Sequence, residues 1–191
     1  VSLDSFDELY SGYLDVLSPR SCYPLSKRMT ENLCSSYWKQ YGVESVIVRP
    51  CHTYGPYMTE TDNRAHAQFF RNALDGENII LKSAGTQMRS YNYVADCAAA
   101  LLSVLIQGIS GEAYNLANPH SKLTIAELAK KIAVAGHSRV VFEIPDAVDL
   151  ANQSPIPKQV LNSAKIEKLG WKPTFDVEEG ICHTLNILRG L

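Results

Sequence analysis

The chain has 191 residues, 46% of them hydrophobic, with 18 Lys and Arg against 20 Asp and Glu for a net charge of −2. That much apolar material builds a core for one domain of ordinary size and excludes a disordered chain. The balanced charge, with no run of Lys and Arg, excludes a nucleic-acid binder and an electrostatic membrane binder.

Residues 1–20 are polar and turn-rich, and read as a loop running into a helix. From Leu25 the apolar positions Met29, Leu33, Tyr37 and Tyr41 recur every four residues, which predicts an amphipathic helix with Pro24 in its first turn and Gly42 at its end. Val46 to Val48 is a β-branched run, the pattern of a parallel strand buried on both faces. Arg49 to Asn63, with two prolines and a glycine, reads as a long loop of the kind that carries function. A helix over 65–74 follows. Ile79 to Leu81 and Tyr91 to Val94 read as short strands flanking the turn at Ala84 to Thr86, and Asp96 reads as the cap of a helix running to Gln107. Glu112 to Leu116 is a further strand. Thr124 with Glu127 forms a capping box for a helix to Ala135, and Val140 to Ile144 is a strand. Asp146 to Asn162 reads as loop with a short helical turn. Two capped helices close the chain, Ser163 to Leu169 before Gly170 and Asp176 to Arg189 before Gly190. Helices and strands alternate throughout, so the predicted class is α/β.

Five cysteines, Cys22, Cys34, Cys51, Cys97 and Cys182, are scattered without a C-x-x-C pair, which suits reduced thiols and a cytoplasmic protein. The longest apolar run, around Ala98 to Ile106, is about half of the roughly 20 residues that cross a bilayer, and no signal peptide is legible, so no membrane partner is expected. The histidines His52, His66, His120, His137 and His183 show no ligand spacing with Cys, Asp or Glu, so no metal is expected. No G-x-S-x-G elbow occurs, and Cys51 and His52, adjacent in an extended segment, point oppositely and make a poor nucleophile–base pair.

Tyr23 and Lys27 stand four apart, so a helix projects them from nearly the same face. A tyrosine, with an ordinary pKa of about 10, serves as a base near neutral pH only when its phenolate is stabilised, and a neighbouring ammonium does that. Ten tyrosines make one Y-x-x-x-K common by chance, so the spacing leaves a catalytic pair and an ordinary surface pair equally open. Pro24 disfavours helical backbone at Tyr23, which would put that residue at the helix threshold.

Pro19-Arg20-Ser21-Cys22-Tyr23-Pro24-Leu25-Ser26-Lys27-Arg28, then Glu31, Arg49-Pro50 and Tyr54-Gly55-Pro56, together resemble the extended short-chain dehydrogenases/reductases, the NAD-dependent epimerase/dehydratase family. Gly85-Thr86-Gln87-Met88-Arg89-Ser90-Tyr91 before Tyr93-Val94-Ala95-Asp96 resembles its substrate-phosphate segment, and Leu169-Gly170-Trp171-Lys172-Pro173 its C-terminal signature. The Arg-Ser-Cys-Tyr run, with Tyr54 to Met58, Asp62 and Arg64, is most similar to UDP-glucuronate decarboxylases. Two departures fall where a sugar or diphosphate would lie. His52 replaces the usual Asn, and Tyr57 a common basic residue.

The resemblance implies the C-terminal part of a Rossmann-type doubly wound fold plus a small substrate-binding α/β subdomain. Residues 1–60 would be the remainder of the NAD-binding domain, and residues 61–191 mostly the nucleotide-sugar subdomain with segments returning to the first. It implies that Tyr23 accepts a proton from a sugar hydroxyl and that Lys27 is its electrostatic partner and ribose ligand. Pro50 and Cys51 would lie beside the nicotinamide of NAD, and His52, Arg64 and Arg89 against the substrate. The substrate would be a UDP-linked sugar, and the helix of Tyr23 and Lys27 would pair two subunits into a homodimer. Taken singly, Arg49 suits a structural role, Cys51 a small packing residue, His52 a hydrogen-bonded loop residue and Arg89 a solvated strand-end charge.

The eleven glycines contain no G-x-G, so the phosphate-binding turn of a dinucleotide fold is not legible here. The expectation is a chain that starts downstream of that turn, binds NAD poorly alone and is inactive by itself. The alternatives are a standalone nucleotide-sugar binding or assembly module and a dimer-forming scaffold.

Overall fold

A computed structural model describes residues 4–152 and 156–191. A 3-10 turn over Pro19–Ser21 leads into helix α1, Cys22–Tyr41. The helix therefore begins three residues before Leu25, and Tyr23 lies inside it rather than at its threshold. Pro24 is tolerated in this first turn because the leading N–H groups of a helix have no intrahelical acceptor to lose. Gly42, in the left-handed region at φ 67°, ends α1 by donating its N–H to the Trp38 carbonyl. No side chain of α1 is buried.

Strand β1, Ile47–Pro50, runs parallel to β5, Ala113–Leu116, with Arg49 opposite Asn115. Helix α3, Val94–Gln107, links the second sheet back to this pair. Val46 and Val48 pack against a core of Ala100, Val104, Tyr114, Leu116, Ile166 and Trp171. Ile47 and Val48 are half-buried, not buried on both faces as expected, because β5 is the sole strand paired with β1 among the described residues.

The expected loop over 49–63 contains a strand. After Cys51, whose N–H still reaches the Leu116 carbonyl at 2.9 Å, the chain leaves β5 and enters β2, His52–Tyr54. This strand runs parallel to β4, Met88–Tyr93, with His52 opposite Tyr91. On the other side β4 takes antiparallel β6, Lys122–Thr124, while the short parallel β8, Lys158–Gln159, pairs with Met88 and Arg89 on the edge opposite β6. Neither β6 nor β8 is expected from the sequence, and β4 starts three residues earlier than its apolar stretch. Strand β3, Ile79–Leu81, does not join β4 across the turn; it pairs in parallel with β7, Val140–Phe142.

Helices α2, Ala65–Leu74, α4, Ile125–Gly136, and α7, Val177–Arg189, enclose the larger core, in which Tyr54, Phe70, Ile79, Leu128, Ile132 and Ile181 are buried. Tyr54 lies so close to α7 that a Cβ at Gly180 would collide with its hydroxyl. The expected capping box at α4 closes, and the cap expected at Asp176 closes as a second one. Glu127 N–H donates to Thr124 Oγ1 at 3.1 Å and Thr124 N–H to Glu127 Oε2 at 2.7 Å; Asp176 and Glu179 do the same at 2.8 and 2.9 Å.

Asp96 is not a cap. It is the third residue of α3, buried, and accepts the backbone N–H groups of Thr174 and Phe175 at 2.9 and 3.1 Å. The carboxylate thus ties the C-terminal segment to α3. The helical turn expected within 146–162 is α5, Ala147–Asn152, and the helix expected over 163–169 is the shorter α6, Ala164–Glu167. Part of the first of these regions, 153–155, lies outside the described residues. All five cysteines are free thiols. Among the described residues no helix is long and apolar enough to cross a membrane, and no cluster of three metal-ligating side chains occurs.

Candidate active site

Tyr23 and Lys27 occupy successive turns at the start of α1. Lys27 Nζ lies 5.6 Å from the centroid of the Tyr23 ring. Both are exposed, Tyr23 at 70%, so the pair faces outward and can be met by a ligand. Arg49 fixes the helix against β1. Its Nε and Nη2 form a two-pronged bond with the Glu31 carboxylate at 2.8 and 2.6 Å, and Nη1 donates to the Glu8 carbonyl at 3.0 Å. Glu31 bonding holds this guanidinium even more firmly protonated than usual. The structural role expected of Arg49 is the one it has.

Pro50 and Cys51 follow at the C-terminal end of β1, where parallel sheets present their ligand sites. Burial, above all, pushes the Cys51 thiol well up, with nearby Cys97 adding to it. A neutral thiol in that position packs and does not attack.

His52 opens β2 with its ring 5.7 Å from Tyr91 and 6.3 Å from His66. Its imidazole is held below the ordinary histidine value, first by burial and then by the cations of Arg89 and Arg64. Arg64 precedes α2 and grips Asp62 through Nε and Nη2, at 2.9 Å to Oδ1 and 2.5 Å to Oδ2. That bond holds Asp62 well below the usual carboxylate range. The Arg64 guanidinium is half-exposed and also lies within electrostatic reach of Tyr23. This connects the outward-facing pair on α1 with the segment after β2.

Arg89, on β4, is 4% exposed, with Nη1 donating to the Met88 carbonyl at 2.8 Å and Nη2 to the Ile156 carbonyl at 2.9 Å. It is therefore no solvated strand-end charge. Burial draws its guanidinium below the ordinary arginine value. Tyr91, beside it, is pushed up to about 12, mainly by burial.

His66, the second residue of α2, escaped the sequence reading as a site residue. It is 3% exposed, and burial followed by the Arg64 and His52 charges lowers it to about 4. Its only sequence signal is its place two residues after Arg64. Two clefts adjoin the cluster. One of about 290 Å³ is lined by Thr53, Gly55, Tyr57, Met58 and Arg64. The other, of about 590 Å³, is lined by Asp62, Phe69, Arg71, Leu81, Lys82 and Gln87 and lies within the size range of small-molecule sites.

The sequence profile of the NAD dependent epimerase/dehydratase family matches residues 4–117. The chain belongs to that family. Among its relatives in the family, UDP-glucuronic acid decarboxylase 1 of Danio rerio is 35% identical over 94% of this chain and 42% of its own length. The dTDP-D-glucose 4,6-dehydratase of Homo sapiens is 30% identical over 97% of this chain and 55% of its own length. In structure, the dTDP-glucose 4,6-dehydratase DesIV of Streptomyces venezuelae, solved with NAD bound, is similar with a TM-score of 0.79 at 25% identity, covering all of this chain and 56% of that one. The chain thus spans about half the length of the relatives it matches. The Rossmann-type α/β fold that the sequence motifs imply is the fold of these family members.

Proposed function

We propose that this chain supplies the proton-transfer pair and much of the substrate cradle of an NAD-dependent enzyme that alters the sugar of a nucleotide sugar, by epimerisation, dehydration or decarboxylation. The observation that carries the reading is the placement of Tyr23 and Lys27 on an exposed face of α1, with Tyr23 within electrostatic reach of Arg64 in the segment after β2. Tyr23 Oη takes the proton of a sugar hydroxyl and later returns it. Lys27 supplies a positive charge on the same face and N–H donors for ribose hydroxyls. NAD, when bound, supplies the acceptor and donor of hydride. The exposed phenol and ammonium, with Pro50 and the neutral thiol of Cys51 at the end of β1, fit the nicotinamide-ribose end of that cofactor.

Arg64 and Arg89 provide charge for a diphosphate, which guanidinium groups bind through paired hydrogen bonds. His52 borders the sugar. The preferred substrate is a UDP-linked sugar. Residues 1–60 serve the cofactor half and 61–191 mostly the substrate half, and the return of β5 to pair with β1 supports a segment that goes back to the first. The exposed Met29, Leu33, Tyr37 and Tyr41 of α1 support a homodimer through that helix. The free thiols suit a cytoplasmic protein.

The test is the protein expressed from its complete reading frame, supplied with NAD and with UDP-glucuronate, UDP-glucose and dTDP-glucose. Conversion of at least one, followed by NMR of the sugar ring, is the expected outcome. No conversion of any, together with no bound nicotinamide by absorbance, overturns the proposal.

A further inference from the structure

Tyr23, Lys27 and Glu31 follow one another at intervals of four residues, so α1 lines them up on one face. Lys27, in the middle, has two neighbours to turn to: the phenol of Tyr23 on one side and the carboxylate of Glu31 on the other. An ammonium and a carboxylate at this spacing attract one another, and a Lys27 drawn to Glu31 leaves Tyr23. The structure holds the other arrangement. Lys27 Nζ lies 5.6 Å from the centroid of the Tyr23 ring, and among the described residues no carboxylate pairs with it. Glu31 is taken instead by Arg49, in the two-pronged bond at 2.8 and 2.6 Å. Arg49 is itself fixed, by its place in β1 beside β5 and by its bond to the Glu8 carbonyl. The other charged groups in reach are Arg64, which acts on Tyr23, Glu8, which acts on Arg49, and Arg28, which is engaged with the Ser11 carbonyl.

We propose that Arg49 is a positioning residue for the proton transfer: by occupying both oxygens of Glu31 it keeps the Lys27 ammonium on the Tyr23 side of α1. The inference rests on the reading of Tyr23 and Lys27 as the proton-transfer pair. Arg49 acts through Glu31 and Lys27 and touches neither substrate nor cofactor. A planar guanidinium satisfies both carboxylate oxygens at once, which a flexible ammonium does not match, so Glu31 stays with Arg49. Loss of the guanidinium leaves a bare carboxylate one turn beyond Lys27. Tyr23 and Glu31 are eight residues apart, about 12 Å along the helix axis. That is farther than the screening length of about 8 Å at physiological salt. The freed carboxylate therefore reaches the phenol chiefly by drawing Lys27 away, and the phenolate loses its stabilising charge. Arg49 thus does more than brace α1 against β1.

The experiment uses the protein expressed from its complete reading frame and two readouts. One is the pH profile of kcat/KM on a nucleotide sugar that it converts, from UDP-glucuronate, UDP-glucose and dTDP-glucose. The other needs no turnover: carbon NMR of labelled tyrosine Cζ against pH, with Tyr23→Phe identifying the Tyr23 signal. Arg49→Met should move the acid limb of the profile up by about 0.4 pH unit, roughly a twofold to threefold loss of kcat/KM on that limb, and the Tyr23 titration with it. Adding Glu31→Gln to Arg49→Met should restore both, because no carboxylate competes for Lys27 even though the link between α1 and β1 stays broken. In a Lys27→Gln background, with no ammonium to divert, Arg49→Met should leave the NMR titration where it was. A double variant that is not restored makes Arg49 a brace alone and overturns the inference. So does an Arg49→Met that behaves as wild type, or a shift that persists in Lys27→Gln. Each of these leaves the proton-transfer reading standing. No conversion of any of the three sugars by the wild-type protein overturns that reading and the inference with it. Should Arg49→Met fail to fold, Arg49→Gln, which is uncharged and can still donate toward Glu31, takes its place with the same outcomes.

Discussion

Helix α1 and the β2–β4–α2 corner work under opposite conditions. No residue of α1 is buried, and Tyr23 is 70% exposed. In the corner His66 and Arg89 are 3% and 4% exposed, and burial is the first cause of every shift at His52, His66, Arg89 and Tyr91. Charges in water are strongly screened, whereas charges under protein are screened much less. The helix therefore presents groups whose behaviour is set by what docks on them, and the corner holds groups whose proton affinity burial has already shifted.

The comparison predicts where damage goes. Tyr23→Phe removes a proton-transfer group from a surface, so kcat of the complete enzyme should fall by roughly 100-fold or more while circular dichroism and thermal unfolding stay unchanged. A loss of stability instead would place Tyr23 in the packing. Ile132→Ala, in the larger core beside the corner, should cost about 2–5 kcal/mol in urea unfolding, whereas Leu33→Ala on α1 should cost under about 1 kcal/mol. Comparable costs would erase the contrast.

His66 makes the difference pH-dependent. Its folded value of about 4 lies below the ordinary histidine value, so the unfolded chain binds the proton first. Stability is whole above about pH 6.5 and declines as the pH falls toward 4, by something on the order of 3 kcal/mol from this group. Unfolding of His66→Phe measured across that window should show a shallower slope. The smallest effect is local. Thr124→Ala breaks one capping box and should lower stability by about 1 kcal/mol, readable as a shift in the urea midpoint.

The helices were legible because their signals are local. Thr124 with Glu127, Asp176 with Glu179, and Gly42 mark ends by contacts within one turn, and the structure makes each of them. The strands were less legible. His52 to Tyr54 sits among prolines and reads as loop, yet becomes β2 because β4 supplies its ladder. Lys122 to Thr124 and Lys158 with Gln159 carry too few apolar residues to announce strands, and pair with β4 from far along the chain. Asp96 has the residue type of a cap, but its partners, Thr174 and Phe175, are 78 and 79 residues away.

By itself the sequence determined the α/β class, the helix boundaries set by caps, the four-residue spacing of Tyr23 and Lys27 and the motifs of the family. Those are properties of neighbours along the chain, where geometry repeats every 3.6 residues or less. Only the tertiary structure decided that Arg89 is buried, that Arg64 reaches toward Tyr23, and that His66 stands against His52 with a nitrogen unmatched. Burial and long-range charge depend on what the rest of the chain brings alongside, and no local pattern encodes that.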